Sequence, residues 1–149
     1  MSTDSTIALL IGRAQEAYDE ATRVLGLATS ARDQQEQKLQ MLQGYRVEYQ
    51  NRLTQSASGG MAIGELLNFR RFLTQLDQAV EQQGQACQQS QRALGLAQQR
   101  WQECRRQLKS FEILARRRSV AADRVAAKRE QRESDGYAAR IAAARKSPL

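Results

Sequence analysis

A chain of 149 residues is long enough for one compact domain, yet only 41% of it is hydrophobic and 5% aromatic, which argues against a thick globular core. With no His and two Cys, it cannot build a His-based nucleophilic triad or a four-ligand zinc site within one chain. A net charge of +7 and a pI near 10 leave anionic partners open.

The N-terminal MSTDSTIALL lacks the basic start and long apolar run of a signal peptide, and no window approaches eighteen consecutive apolar residues, so a soluble, cytoplasmic protein is expected. Asp4, Ser5 and Thr6 offer side-chain oxygens and a negative charge to the free amides that begin a helix. From there apolar residues recur at alternating steps of four and three: Ile7, Ile11, Ala14, Tyr18, Ala21, Leu25, Ala28, then Leu39, Leu42, Tyr49 and Leu53, with Arg32, Gln35 and Arg46 as polar interruptions. A sustained period of 3.5 keeps one seam turned toward a partner helix. Helix one is placed at about 5–55.

The repeat stops in TQSASGGMAIG, residues 54–64, which reads as the loop of a hairpin. Helix two is placed at about 65–130. Its seam runs from Leu66, Phe69, Leu73 and Leu76 through Leu94, Ala97, Trp101, Cys104 and Leu108 to Ala122 and Val125. A short loop returns it antiparallel, with residue i near 118 − i, so that Gln35 faces about Gln83. The expected fold is therefore all-α: a single domain over 1–149 made of two long helices in an antiparallel coiled-coil hairpin. At 1.5 Å per residue helix two spans about 90 Å and helix one about 75 Å, so the second overhangs the first. Cys87 and Cys104, about 25 Å apart along one helix, cannot bridge each other and read as small buried apolar residues.

Charge divides along the chain. Residues 1–99 carry nine Lys or Arg against ten Asp or Glu; residues 100–149 carry fourteen against six. Arg116, Arg117 and Arg118 alone cover nearly a full helical turn, followed by Arg124, Lys128 and Arg129. A partner wrapped around the overhang explains this, as does a simple solvated face. Gly136 weakens the helix and Ala138 to Ala144 favour it again, so 131–149 reads as a basic, partly flexible extension.

No chemistry-bearing constellation emerges. Carboxylates are scattered singly, and Ser58-Gly59-Gly60 lacks the Lys and the strand of a phosphate loop, so neither an enzyme nor a cofactor site is expected. What remains is a second ridge. Lys38, Leu42, Tyr45 and Tyr49 share two positions with the seam but turn outward through Tyr45, and Phe72, Leu76, Ala79 and Gln83 do the same on helix two. At equal height beside the loop they can merge into one apolar patch suited to a partner, or be absorbed by a slightly wider core.

The segment Lys38-Leu39-Gln40-Met41-Leu42, with Tyr45 and Glu48-Tyr49, then Asn68-Phe69, Phe72 and Leu76 after the loop, closely resembles the FliJ family of flagellar export proteins. The layout matches over essentially the whole chain. The resemblance implies a non-enzymatic stalk-like hairpin at the cytoplasmic face of the inner-membrane export apparatus. Its partners would be the hexameric export ATPase FliI, the export gate protein FlhA and flagellar export chaperones. It places gate binding on Leu42, Tyr45, Tyr49, Phe72, Leu76, Ala79 and Gln83; Lys38 stands where the family often has Gln, and Gln83 where it has His. By analogy with a rotary stalk, the terminal end would dock in the ATPase ring through Ile7, Ile11, Arg116, Arg117, Arg118, Arg124, Lys128 and Arg129. The rival readings are a basic coiled coil that binds nucleic acid through its C-terminal third and an inert spacer.

Overall fold

The computed structural model describes residues 2–146, which form two helices and one short loop. The first helix, α1, is Thr3–Ser58 and the second, α2, is Ile63–Lys146. They pack against each other as an all-α hairpin, as the two seams require.

The helix ends differ from the sequence expectation for local reasons. Helix α1 starts at Thr3 because Ser2 caps it: its Oγ accepts the Ser5 amide at 3.2 Å and its carbonyl accepts the Thr6 amide at 3.2 Å. Asp4 lies in the first turn, where its charge favours the helix start. Ser and Thr before the loop do not break α1. Thr54 and Ser58 donate their hydroxyls to the carbonyls of Gln50 and Gln55, at 3.0 and 2.9 Å, and so stay satisfied on the helix. The loop is therefore 59–62 rather than 54–64. Gly60, at φ 83°, makes the turn that a side chain would oppose. At the other end α2 continues past 130 and through Gly136 to Lys146; the alanines around it offset the glycine penalty of about 1 kcal/mol. Residues 147–149 of the expected extension, with Pro148, lie outside the described residues.

By packing, the chain divides into two compact units, Met1–Glu16 with Arg105–Leu149, and Ala17–Cys104. In the unit Ala17–Cys104 the core is Ala21, Leu76, Leu94, Ala97 and Cys104, all buried. Tyr18 and Trp101 stack at 5.8 Å between ring centroids, and the Trp101 indole donates to the Thr22 hydroxyl at 3.0 Å. The Thr22 hydroxyl in turn donates a hydrogen bond to the Tyr18 carbonyl at 2.9 Å. A half-buried Trp keeps its N–H satisfied in this way. The Gln83 side-chain amide donates to the Gln35 carbonyl at 2.9 Å and to the Gln35 Oε1 at 2.7 Å. A polar layer inside an apolar seam fixes register at some cost in stability. Replacing both glutamines by Leu is expected to raise the unfolding midpoint, by about 1 to 2 kcal/mol in stability, and to broaden the register; thermal unfolding monitored by circular dichroism checks the first.

In the unit of the termini, Ile7, Ala14 and Leu108 are buried, with Ile11, Phe111 and Ala115 half-buried around them. Arg118 Nε reaches the Asp4 carboxylate at 3.1 Å. Beyond Ala115 every described residue of α2 is exposed. The seam residues Ala122 and Val125 thus stand open because α1 has already ended at Thr3.

Leu94 is the most buried Leu of the seam, at 3% exposure. Leu94→Ala is expected to cost about 3 kcal/mol, read as a lower midpoint in urea unfolding with unchanged slope.

Candidate docking surfaces

The residues suggested beside the loop all fall in the unit Ala17–Cys104, but they do not share one environment. Tyr45 and Phe72 are exposed, at 46% and 39%. Tyr49 is half-buried and its ring lies 4.6 Å from that of Phe72, tilted by 56°. This contact joins the two ridges across the hairpin. Leu42 and Ala79 are half-buried, Gln83 is committed to Gln35, and Leu76 is a core residue at 8% exposure. Tyr45 and Phe72 are therefore the accessible side chains of this set, with Tyr49 against Phe72.

Two neighbours were not apparent from the ridge pattern. Met41, 57% exposed, stands one turn before Tyr45, and the Arg52 guanidinium lies 5.4 Å from the Tyr49 ring centre while it pairs with Glu48 at 2.9 Å. Met41 precedes Tyr45 by four residues, a spacing that places it on the same face. The opposite flank at the same height is ionic: Arg46 pairs with Asp77 at 2.7 Å. Arg46 leaves the seam, where the 3.5 repeat puts it, because a guanidinium keeps its charge wet when a carboxylate lies at the rim.

The residues suggested for ring binding all fall in the unit of the termini and divide in two. Ile7 is buried and Ile11 half-buried, both spent on holding α1 to α2. Arg118 is exposed but tied to Asp4. Arg116, Arg117, Arg124, Lys128 and Arg129 are exposed on the stretch that α1 does not cover. Residues 116–146 carry ten Lys or Arg against four Asp or Glu. Between the cations runs a shallow apolar groove of about 460 Å³ over Ala121, Ala122, Val125 and Ala126, bounded by Arg118 and Arg129. Cationic edges around small apolar residues suit contact with a folded, acidic protein surface.

Cys104 is 2% exposed and Cys87 half-buried, both with free thiols in the packed seam. Among the described residues no helix is long and apolar enough to cross a membrane.

These features define an α-helical coiled-coil hairpin whose distinctive surfaces are an aromatic patch and an uncovered basic helix. The chain belongs to the flagellar FliJ family: the profile described as "Flagellar FliJ protein" matches residues 4–147. It is similar to the flagellar FliJ protein of Escherichia coli (strain K12), 30% identical over 142 residues, which cover 95% of this chain and 97% of that protein. It is equally similar to the flagellar FliJ protein of Salmonella typhi, 30% identical with the same coverage.

Proposed function

We propose that this member of the flagellar FliJ family is a non-enzymatic, stalk-like component of the flagellar export apparatus that couples the hexameric export ATPase to the export gate and assists export chaperones. Family membership supports the broader part, a flagellar export component. The observation that carries the finer part is the bare stretch of α2. A helix with every residue exposed from Arg116 to Lys146, ten cations against four anions, and seam residues left open has the features of one meant to be surrounded. The ring would meet Arg116, Arg117, Arg124, Lys128 and Arg129, while Ile7 and Ile11 keep α1 in place beside them. The gate would meet Tyr45 and Phe72, supported by Tyr49, Leu42, Leu76, Ala79 and Gln83. One chain that holds both partners lets contacts at the ring bias contacts at the gate, which is coupling in the thermodynamic sense.

Packing takes aromatics away from the nucleic-acid reading. Trp101 is stacked on Tyr18 and bonded to Thr22, and Phe111 is half-buried, so Tyr137 is the exposed aromatic among the described residues of the basic third. Base stacking needs more than one platform.

The test is the steady-state ATP hydrolysis rate of the purified export ATPase with and without the chain, beside a Tyr45→Ala, Phe72→Ala variant. Equal stimulation by both is expected. No stimulation where the ATPase assembles would remove the stalk reading.

A further inference from the structure

The two flanks of the unit Ala17–Cys104 differ in chemistry, although Val47 and Leu67 stand exposed beside the seam on the more polar one. On one, the positions directly after the seam are Thr22, Thr29, Glu36 and Gln43 on α1 and Arg70, Asp77, Gln91 and Gln98 on α2. On the other, the positions directly before the seam are Val24, Ala31, Lys38 and Tyr45 on α1 and Phe72, Ala79, Ala86, Ala93 and Arg100 on α2. One helical turn from these stand Leu27, Met41 and Leu96. Six of the nine large apolar side chains exposed in this unit lie on that flank: Val24, Leu27, Met41, Tyr45, Phe72 and Leu96, between 39 and 68% exposed. Such a flank is contiguous with the seam through Tyr49 and Leu76 and presents a second apolar face to something outside the hairpin.

Their layout says what that is. Leu27 and Met41 lie seven residues either side of Gln34, and Val24 and Tyr45 lie ten and eleven either side. On α2, Phe72 and Leu96 lie twelve either side of Gly84, which stands at the height of Gln34 given the Gln35 to Gln83 contact. A two-fold axis lying in the flank at the height of Gln34 and Gly84 therefore maps these side chains onto one another, as an interface between identical chains requires.

We infer that this flank is where a second copy of the chain docks, α1 antiparallel on α1 and α2 antiparallel on α2, to close a four-helix bundle. Met41 of one protomer then covers Leu27 of its partner, Tyr45 covers Val24, and Phe72 meets Leu96. Ala79, Ala86 and Ala93, which fall opposite Gln89, Gln82 and Gln75 of the second copy, let the two α2 helices approach closely. Charge does not oppose this: Lys38 falls opposite Ser30 of the second copy and Arg100 opposite Asn68. Glu20 and Glu48, which border the ends of the flank, are already neutralised within α1 by Arg23 at 2.6 Å and Arg52 at 2.9 Å. A surface of roughly 30 by 20 Å corresponds to about 600 Å² on each copy, the lower end of specific association, so the dimer is weak and concentration-dependent. Dimerisation covers Tyr45 and Phe72, but the inference rests on the flank alone and its test involves neither ATPase nor gate.

Sedimentation equilibrium of the full chain is expected to show a monomer–dimer equilibrium, with Leu27→Glu, Leu96→Glu weakening it at least about tenfold at unchanged helicity. In a Cys87→Ala, Cys104→Ala background, Gln34→Cys alone is expected to give a disulfide-linked dimer under mild oxidation. Leu27→Cys alone should not, because two copies of residue 27 lie about 20 Å apart, whereas Leu27→Cys with Met41→Cys should. Residues 27 and 41 of one chain are too far apart to bridge each other. A monomer at every concentration, a dimer indifferent to Leu27→Glu, Leu96→Glu, or cross-linking by Leu27→Cys alone overturns the inference.

Discussion

Reversing Arg116, Arg117 and Arg124 to Glu is expected to weaken binding to the export ATPase ring about 100-fold, with helicity unchanged. All three are exposed on the part of α2 that has no α1 beside it, so none of them holds the fold. Each reversal removes an attraction and adds a repulsion, on the order of 1 kcal/mol at a rim position, and three together reach about 3 kcal/mol. Arg118 is left out on purpose. It pairs with Asp4, and a Glu there would set two carboxylates side by side and loosen the start of α1, confusing lost docking with lost structure. Because the effect is electrostatic, the natural chain should lose ring affinity as salt rises while the reversed variant changes little. Titration of the ATPase at two ionic strengths reads both quantities. Undiminished ATPase stimulation by the triple variant would overturn ring docking through the basic segment.

Truncating Tyr45 and Phe72 to Ala is expected to reduce binding to the gate protein by about 100-fold while costing the hairpin little. Exposed aromatics at the centre of an interface each contribute roughly 1 to 2 kcal/mol of binding. The stability lost is chiefly the Phe72 ring contact with Tyr49, about 1 kcal/mol. Leu76→Ala makes an instructive contrast. Leu76 is buried, so its truncation is expected to cost about 3 kcal/mol of stability, and any loss of gate binding would follow from a loosened hairpin. A pull-down on immobilised gate protein, with urea unfolding of the same variants, separates the two effects. Full gate binding by the Tyr45, Phe72 variant would place the gate elsewhere.

The period of 3.5 was enough to give the hairpin, since one angular coordinate per residue decides which side chains face the partner helix. It also put Gln35 opposite Gln83, where the structure has their hydrogen bond. The register drifts elsewhere: Tyr49 meets Phe72 and Arg46 meets Asp77, pairs that add to 121 and 123 rather than 118. The cause is the loop. Its true centre lies between Gly60 and Met61 because the hydroxyls of Thr54 and Ser58 let α1 continue past the point where composition suggested an end. The patch beside the loop was legible in position but not in depth. A helical ridge says that Tyr45 and Leu76 share a side; it does not say that Leu76 sinks into the core while Tyr45 stays outside, which depends on how closely the partner helix approaches. The apolar flank of Val24, Leu27 and Leu96 is masked in the sequence because the seam beside it dominates the pattern.

Trp101 is the chain's single tryptophan, and it sits where α1 and α2 meet, with its N–H committed to Thr22 and its ring against Tyr18. Its emission therefore gauges helix separation at that height without any label. If the hairpin parts there under load, the indole enters water and its fluorescence moves to longer wavelength.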